Sequence, residues 1–178
     1  AMRDLEIRGA GEILGEKQSG LIDYVGLSLF SSMINRSIKL LEGIDETHEE
    51  FEVKIGENGF IPETFIPQTE VRLEIYKKFS SVKNQENLDR LVKEMEDRFG
   101  ALPEDIKILV NLTCIRIESS KLLITKIRGD NKKCTLSLSD NSNLVSAKSS
   151  FREISINYPE KIHSKSEFLL NKLKSLSY

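Results

Sequence analysis

Arg8 is followed directly by Gly9-Ala10-Gly11, and Gln18 and Gly20 close the same stretch. Glycines let a backbone turn and approach a neighbour closely, and an adjacent guanidinium can grip a carboxylate or phosphate through a bidentate fork. Gln18 donates and accepts through one side chain, which suits it to relay position between neighbouring elements. Spacing alone equally allows a glycine-rich surface loop with a solvated arginine. The stretch does not make a nucleotide cradle. Gly11 to Lys17 lacks both the spacing and the hydroxyl of G-x-x-x-x-G-K-[ST]. Gly9, Gly11 and Gly15 miss the G-x-G-x-x-G count, with no strand expected ahead of them. No nucleophile elbow and no histidine-carboxylate pairing at usable spacing occurs in the chain. Cys114 and Cys134 stand far apart, and His48 and His163 are distant from both. Zinc sites bring paired ligands at short spacing, so no metal site is expected. This stretch of sequence is therefore read as non-enzymatic.

A second group is Glu94 and Asp97, with Arg98 beside them. At i and i+3 the two carboxylates share one helix face. On spacing alone this is a solvated face, because Arg90 and Lys93 lie one turn earlier and can pair locally. The charge balance of the whole chain is uneven. Residues 1–100 hold 13 basic and 20 acidic side chains, whereas residues 101–178 hold 13 and 8. The basic half lacks the aromatic interleaving of a single-strand groove and reads first as solvated surface. A direct duplex-DNA-binding module running from Lys121 to Lys174 is the alternative.

With 178 residues, 39% hydrophobic and 30% charged, the chain can hold an ordinary domain plus an appendage without disulfide or metal support. No apolar run approaches the roughly 20 residues that span a bilayer, so a cytoplasmic protein without membrane contact is expected.

The elements follow from periodicity. Leu27, Phe30, Met33, Ile34, Ile38 and Leu41 form a helical stripe that should end near Gly43. The acidic, aperiodic residues 44–50 read as a linker between segments 1–43 and 51–178. Phe51, Val53 and Ile55 alternate with polar residues as a strand, and Pro62 and Pro67 bracket an expected extended segment over 60–67. Three helices are expected next. Leu73 to Phe79 mark the first. Leu88 to Phe99 mark the second, with Asn84 as N-cap and Gly100 as stop. The third is opened by Pro103 at or near its first position and runs to about Leu123. Being apolar on more than one side, the third should be the buried central helix, with Cys114 a small core residue. The aromatics Phe51, Phe60, Phe65, Tyr76 and Phe79 read as core. Period-two patterns then mark strands over 124–128, 134–138 and 154–158, with a turn at 129–131, and Phe168 to Leu176 mark a last helix. The predicted fold class is α+β: amphipathic helices packed on a small, largely antiparallel sheet.

Residues 3–20 resemble the tail of the translocation motif that follows the helicase motor in bacterial transcription-repair coupling factors and RecG-like helicases. Phe65-Ile66-Pro67, Arg72-Leu73-Glu74-Ile75-Tyr76-Lys77 and Asp97-Arg98-Phe99-Gly100-Ala101-Leu102-Pro103 resemble the C-terminal domain of the coupling factors alone, in residues, order and spacing. The resemblance covers about residues 3–123. It implies a C-terminal fragment: the rear of a DNA-translocating motor, then a regulatory domain. Arg8, Gly9, Gly11, Gln18 and Gly20 would be coupling residues of the translocation motif. Glu94, Asp97 and Arg98 would lie at an autoinhibitory interface with the N-terminal module of the same protein, hiding the surface that recruits the excision-repair damage-recognition protein. RNA polymerase and duplex DNA would be partners of the parent. ATP and magnesium would belong to motor domains outside this stretch, which itself needs no cofactor. An accessory duplex-DNA-binding domain of a RecG-like helicase is the competing reading.

Overall fold

The computed structural model describes residues 51–142, 144 and 152–176. The Arg8–Gly20 stretch, the helix expected over 27–41 and the 44–50 linker lie outside the described residues.

Strand β1 (Glu52–Lys54) opens the described part. Helices α1 (Thr69–Ser81), α2 (Gln85–Phe99) and α3 (Glu104–Lys121) follow. Strands β2 (Ile124–Gly129), β3 (Lys133–Leu138) and β4 (Glu153–Asn157) and helix α4 (Lys165–Leu176) complete it. The four strands form one sheet in the order β1-β2-β3-β4. β1 runs parallel to β2, and the other two pairings are antiparallel. The parallel pair follows from chain length, since three helices separate β1 from β2 and supply the long crossover that parallel strands need.

Register divides the sheet into two unlike faces. Val53, Ile127, Leu136 and Ile154 line up across the four strands, with Cys134 and Ile156 beside them. These pack into the same core as Phe79, Leu88, Leu109, Ile115 and Leu169. The opposite face carries Glu52, Lys126, Ser137 and Glu153 in one row and Lys54, Arg128, Thr135 and Ser155 in the next, with Lys133 opposite Asn157. A mixed, mostly antiparallel sheet with one dry and one wet face explains the alternation read from sequence.

Helix α3 is the central helix. Ile106, Leu109, Leu112, Cys114, Ile115 and Ile117 are buried along it, and it packs against α2, α4 and β2. Asn84 caps α2 as expected, its side chain accepting from the Asn87 N–H at 2.9 Å. Gly100 ends that helix with φ at 90°, a conformation that favours glycine. Pro103 is the N-cap of α3, one position earlier than expected. Its ψ of 163° keeps it extended, while its carbonyl accepts from the N–H groups of Ile106 and Lys107. Leu123, just past α3, takes a positive φ of 55°.

The 60–67 segment differs from the expectation. The Pro62 carbonyl accepts from the Phe65 and Ile66 N–H groups, both at 3.0 Å, so residues 63–65 form a turn. Proline restrains its own φ and the residue before it, leaving residues 63–65 free to bend. The turn drives Ile61 and Ile66 fully into the core, where the Tyr76 hydroxyl accepts from the Ile61 N–H at 2.8 Å. Arg72, buried to 1% exposure, donates to the carbonyls of Ile66 and Pro67 at 2.8 and 3.0 Å and so clamps the segment onto α1. Tyr76 and Phe79 are core, as read. Phe51 and Phe65 pack against the core while staying partly exposed.

Two contacts fasten the ends of the domain. Gly59 lies flat on α3: a Cβ there would sit 2.3 Å from the Leu109 nitrogen. Glu57 reaches the start of α4, where its carboxylate accepts from the Ser166 N–H at 2.9 Å, the Ser164 hydroxyl at 3.3 Å and the Lys165 N–H. Burial pushes the Glu57 carboxyl up, but hydrogen bonds from Ser166, Lys165 and Ser164 outweigh it and hold it below the ordinary 4.5.

Candidate docking face on helix α2

Helix α2 buries Leu88, Leu91 and Met95, which return every three or four residues, and turns its charges outward. Helix α1 packs against α2 and is itself held at its end by a residue of α3. The Arg116 guanidinium donates to the carbonyls of Ser80, Phe79 and Val82 at 2.6, 2.8 and 2.9 Å, satisfying the open end of α1. Burial lowers the Arg116 pKa from its usual value. Sequence reasoning missed this residue, although an arginine inside the apolar run from Leu112 to Ile117 was itself a signal that carbonyl acceptors must surround it.

Lys78 of α1 reaches across to α2. Glu94 accepts from Lys78 Nζ at 2.8 Å and from Arg98 Nη1 at 3.0 Å. Lys78 also lies 3.4 Å from Glu74. The Lys78 hydrogen bond, helped by Arg98 and opposed by slight burial, lowers the Glu94 pKa, and the same bond raises that of Lys78. These pairs are partly exposed, so each contributes roughly 0–1 kcal/mol. The local pairing expected for Glu94 therefore exists, with different partners. Arg90 pairs with Glu86 instead, one turn before it, in the favourable order of acid ahead of base.

Asp97 lies one turn beyond Glu94 and is exposed. Its carboxylate takes no hydrogen bond or ion pair among the described residues. Arg98 stacks its guanidinium 4.9 Å from the Phe99 ring centroid, and Phe99 meets Phe65 at 5.9 Å. The structure thus brings Glu94, Asp97 and Arg98 together at one end of α2, beside a half-buried aromatic pair. Nothing in this cluster is a nucleophile with a base. No three histidine, cysteine or acidic residues converge as metal ligands among the described residues, and no helix there is long and apolar enough to cross a membrane. The face can recognise a surface; it has no groups arranged for bond-making.

Comparison with known proteins places these features in a family. A family model described as the TRCF domain matches residues 55–149. The transcription-repair-coupling factor of Escherichia coli (strain K12) is 36% identical over 138 residues, covering 74% of this chain and 12% of that protein. The transcription-repair-coupling factor of Bacillus subtilis (strain 168) is 36% identical over 142 residues, covering 79% of this chain and again 12% of the relative. The chain thus spans only a small part of the length of these relatives. A crystal structure of the C-terminal domain of transcription-repair coupling factor superposes with a TM-score of 0.57 at 19% identity, over 72% of this chain and 97% of that one. The chain therefore belongs to the transcription-repair coupling factor family, and its described part has the fold of the C-terminal domain.

Proposed function

We propose that residues 51–178 act as a regulatory clamp in a longer coupling factor, docking through the α2 face onto the N-terminal module and covering the surface that recruits the damage-recognition protein. The observation that carries this reading is Asp97. It is an exposed carboxylate without a partner among the described residues, on the same face as a Glu94 already neutralised by Lys78 and Arg98. A basic patch on the module would meet Asp97 at little cost, while Glu94 and Lys78 hold the face in shape and Phe99 supplies apolar area. The parent would use ATP and magnesium in its motor domains to move on duplex DNA and displace RNA polymerase in the cytoplasm, with Arg8, Gly9, Gly11, Gln18 and Gly20 coupling closure to movement. The segment itself would do no chemistry. Regulation is then a population shift: the clamp favours a closed state, and engagement of polymerase offsets it.

The test uses the full-length coupling factor carrying this segment and measures binding of the damage-recognition protein. Asp97→Lys should raise that binding about tenfold, equivalent to roughly 1.4 kcal/mol removed from the clamp. Glu94→Gln should raise it much less. Unchanged binding by a folded Asp97→Lys protein would remove α2 as the docking face.

A further inference from the structure

We propose that the outer face of the sheet is a second, separate binding surface, and that its ligand is the phosphodiester backbone of duplex DNA. The face is defined by register and lies on the side of the sheet away from the described helices. It carries four cations, Lys54, Lys126, Arg128 and Lys133, against two carboxylates, Glu52 and Glu153. Lys126 and Arg128 stand two residues apart on β2, about 7 Å along the strand, and Lys54 opposes Arg128 on the neighbouring strand about 5 Å away. Glu52 sits among three of these cations. It pairs with Lys54, with Arg128 at 3.3 Å and with Lys126 at 3.7 Å. One carboxylate cannot neutralise three cations, so the cluster keeps a positive surplus while its side chains are held in place. Lys54, Lys126 and Arg128 remain 70%, 43% and 63% exposed.

The chemistry of the face selects the partner. None of its register positions carries an apolar or aromatic side chain. A protein partner of ordinary affinity needs a buried apolar or aromatic anchor, and single-stranded nucleic acid needs rings to stack its bases. The face offers neither. What it offers is lysine, arginine, serine, threonine and asparagine, the donor set that contacts phosphate oxygens in protein–DNA complexes and carries no base specificity. Binding should therefore be weak, independent of sequence and steeply dependent on salt.

The experiment is a fluorescence-anisotropy titration of a labelled random-sequence duplex with the 178-residue chain, at salt concentrations from about 50 to 200 mM. Wild type should bind at low salt with a log K against log salt slope of roughly −3, as for about three neutralised phosphates. Lys126→Gln with Arg128→Gln should weaken binding at least tenfold and flatten the slope by about two. Glu52→Gln should tighten it, because the competing carboxylate is gone. That opposite sign is not expected of a variant that merely loosens the fold, and a thermal melt of each variant checks that it is folded. A flat wild-type titration at low salt overturns the proposal, as does binding that the Lys126 and Arg128 substitutions leave unchanged. Displacement of the duplex by polyglutamate at equal charge concentration would overturn it in favour of an acidic polypeptide.

Discussion

Replacing Glu57 tests a helix cap supplied from a distant part of the chain. The carboxylate lies between β1 and α1 in sequence, yet it caps α4, accepting two backbone N–H groups and the Ser164 hydroxyl. Loss of an N-cap acceptor costs about 1 kcal/mol, and a negative charge at a helix N-terminus contributes roughly 0.3–1 kcal/mol more. Since two half-buried N–H groups lose their acceptor together, Glu57→Ala should destabilise the domain by about 2–3 kcal/mol. Glu57→Gln keeps one acceptor oxygen but loses the charge and turns an amide NH2 toward a donor that the second carboxylate oxygen had accepted, so it should cost about 1–2 kcal/mol. With a urea m-value of roughly 1–3 kcal/mol/M, the alanine variant's midpoint should fall by about 1 M. The pH dependence fixes the sign. The folded pKa lies below the ordinary 4.5, so the charge stabilises the fold above that value and its contribution vanishes as acid protonates the folded carboxyl. The gap between wild type and Glu57→Gln should therefore close as pH falls below 4.5, whereas the gap to Glu57→Ala should persist in part. An alanine variant within about 0.5 kcal/mol of wild type at neutral pH would refute the cap. So would a glutamine gap that does not change with pH.

Other substitutions test the packing and the end of α3. Gly59→Ala places a methyl 2.3 Å from the Leu109 nitrogen and 2.4 Å from its Cα, both backbone atoms that cannot swing away. Chemical denaturation should show a loss of roughly 3 kcal/mol or more; a neutral result would mean that α3 does not lie on the Gly59 backbone. Leu123 holds a left-handed conformation past α3 with its side chain 43% exposed. Leu123→Gly should therefore be neutral to about 1 kcal/mol stabilising in a thermal melt, where an ordinary exposed loop leucine changed to glycine would lose stability.

Much of the fold was legible because each element repeats its own period. Leu88, Leu91 and Met95 marked α2 and its buried side, Asn84 and Gly100 marked its ends, and Cys134, Leu136 and Leu138 marked the inner face of β3. What stayed hidden depends on contacts between elements distant in sequence. The Glu57 cap on Lys165 and Ser166 has no local signature, because glutamate after a strand usually faces water. The partner of Glu94 could not be read either. Helical spacing offered Arg90 and Lys93, but the packing of α1 on α2 brings Lys78 closer, and Glu86 holds Arg90. The parallel pairing of β1 was equally invisible to alternation, which reports burial of a face and not strand direction. At the candidate face the sequence supplied the spacing of Glu94 and Asp97. Their electrostatic inequality, one carboxylate neutralised and the other open, required the geometry.

The most direct measurement compares binding of the damage-recognition protein to the full-length coupling factor with and without residues 51–178. The expected result is weak binding by the intact protein and strong binding after deletion, at least tenfold tighter. Addition of the separate domain should restore the block, and the Asp97→Lys domain should fail to do so. Equal binding with and without residues 51–178 would contradict the clamp.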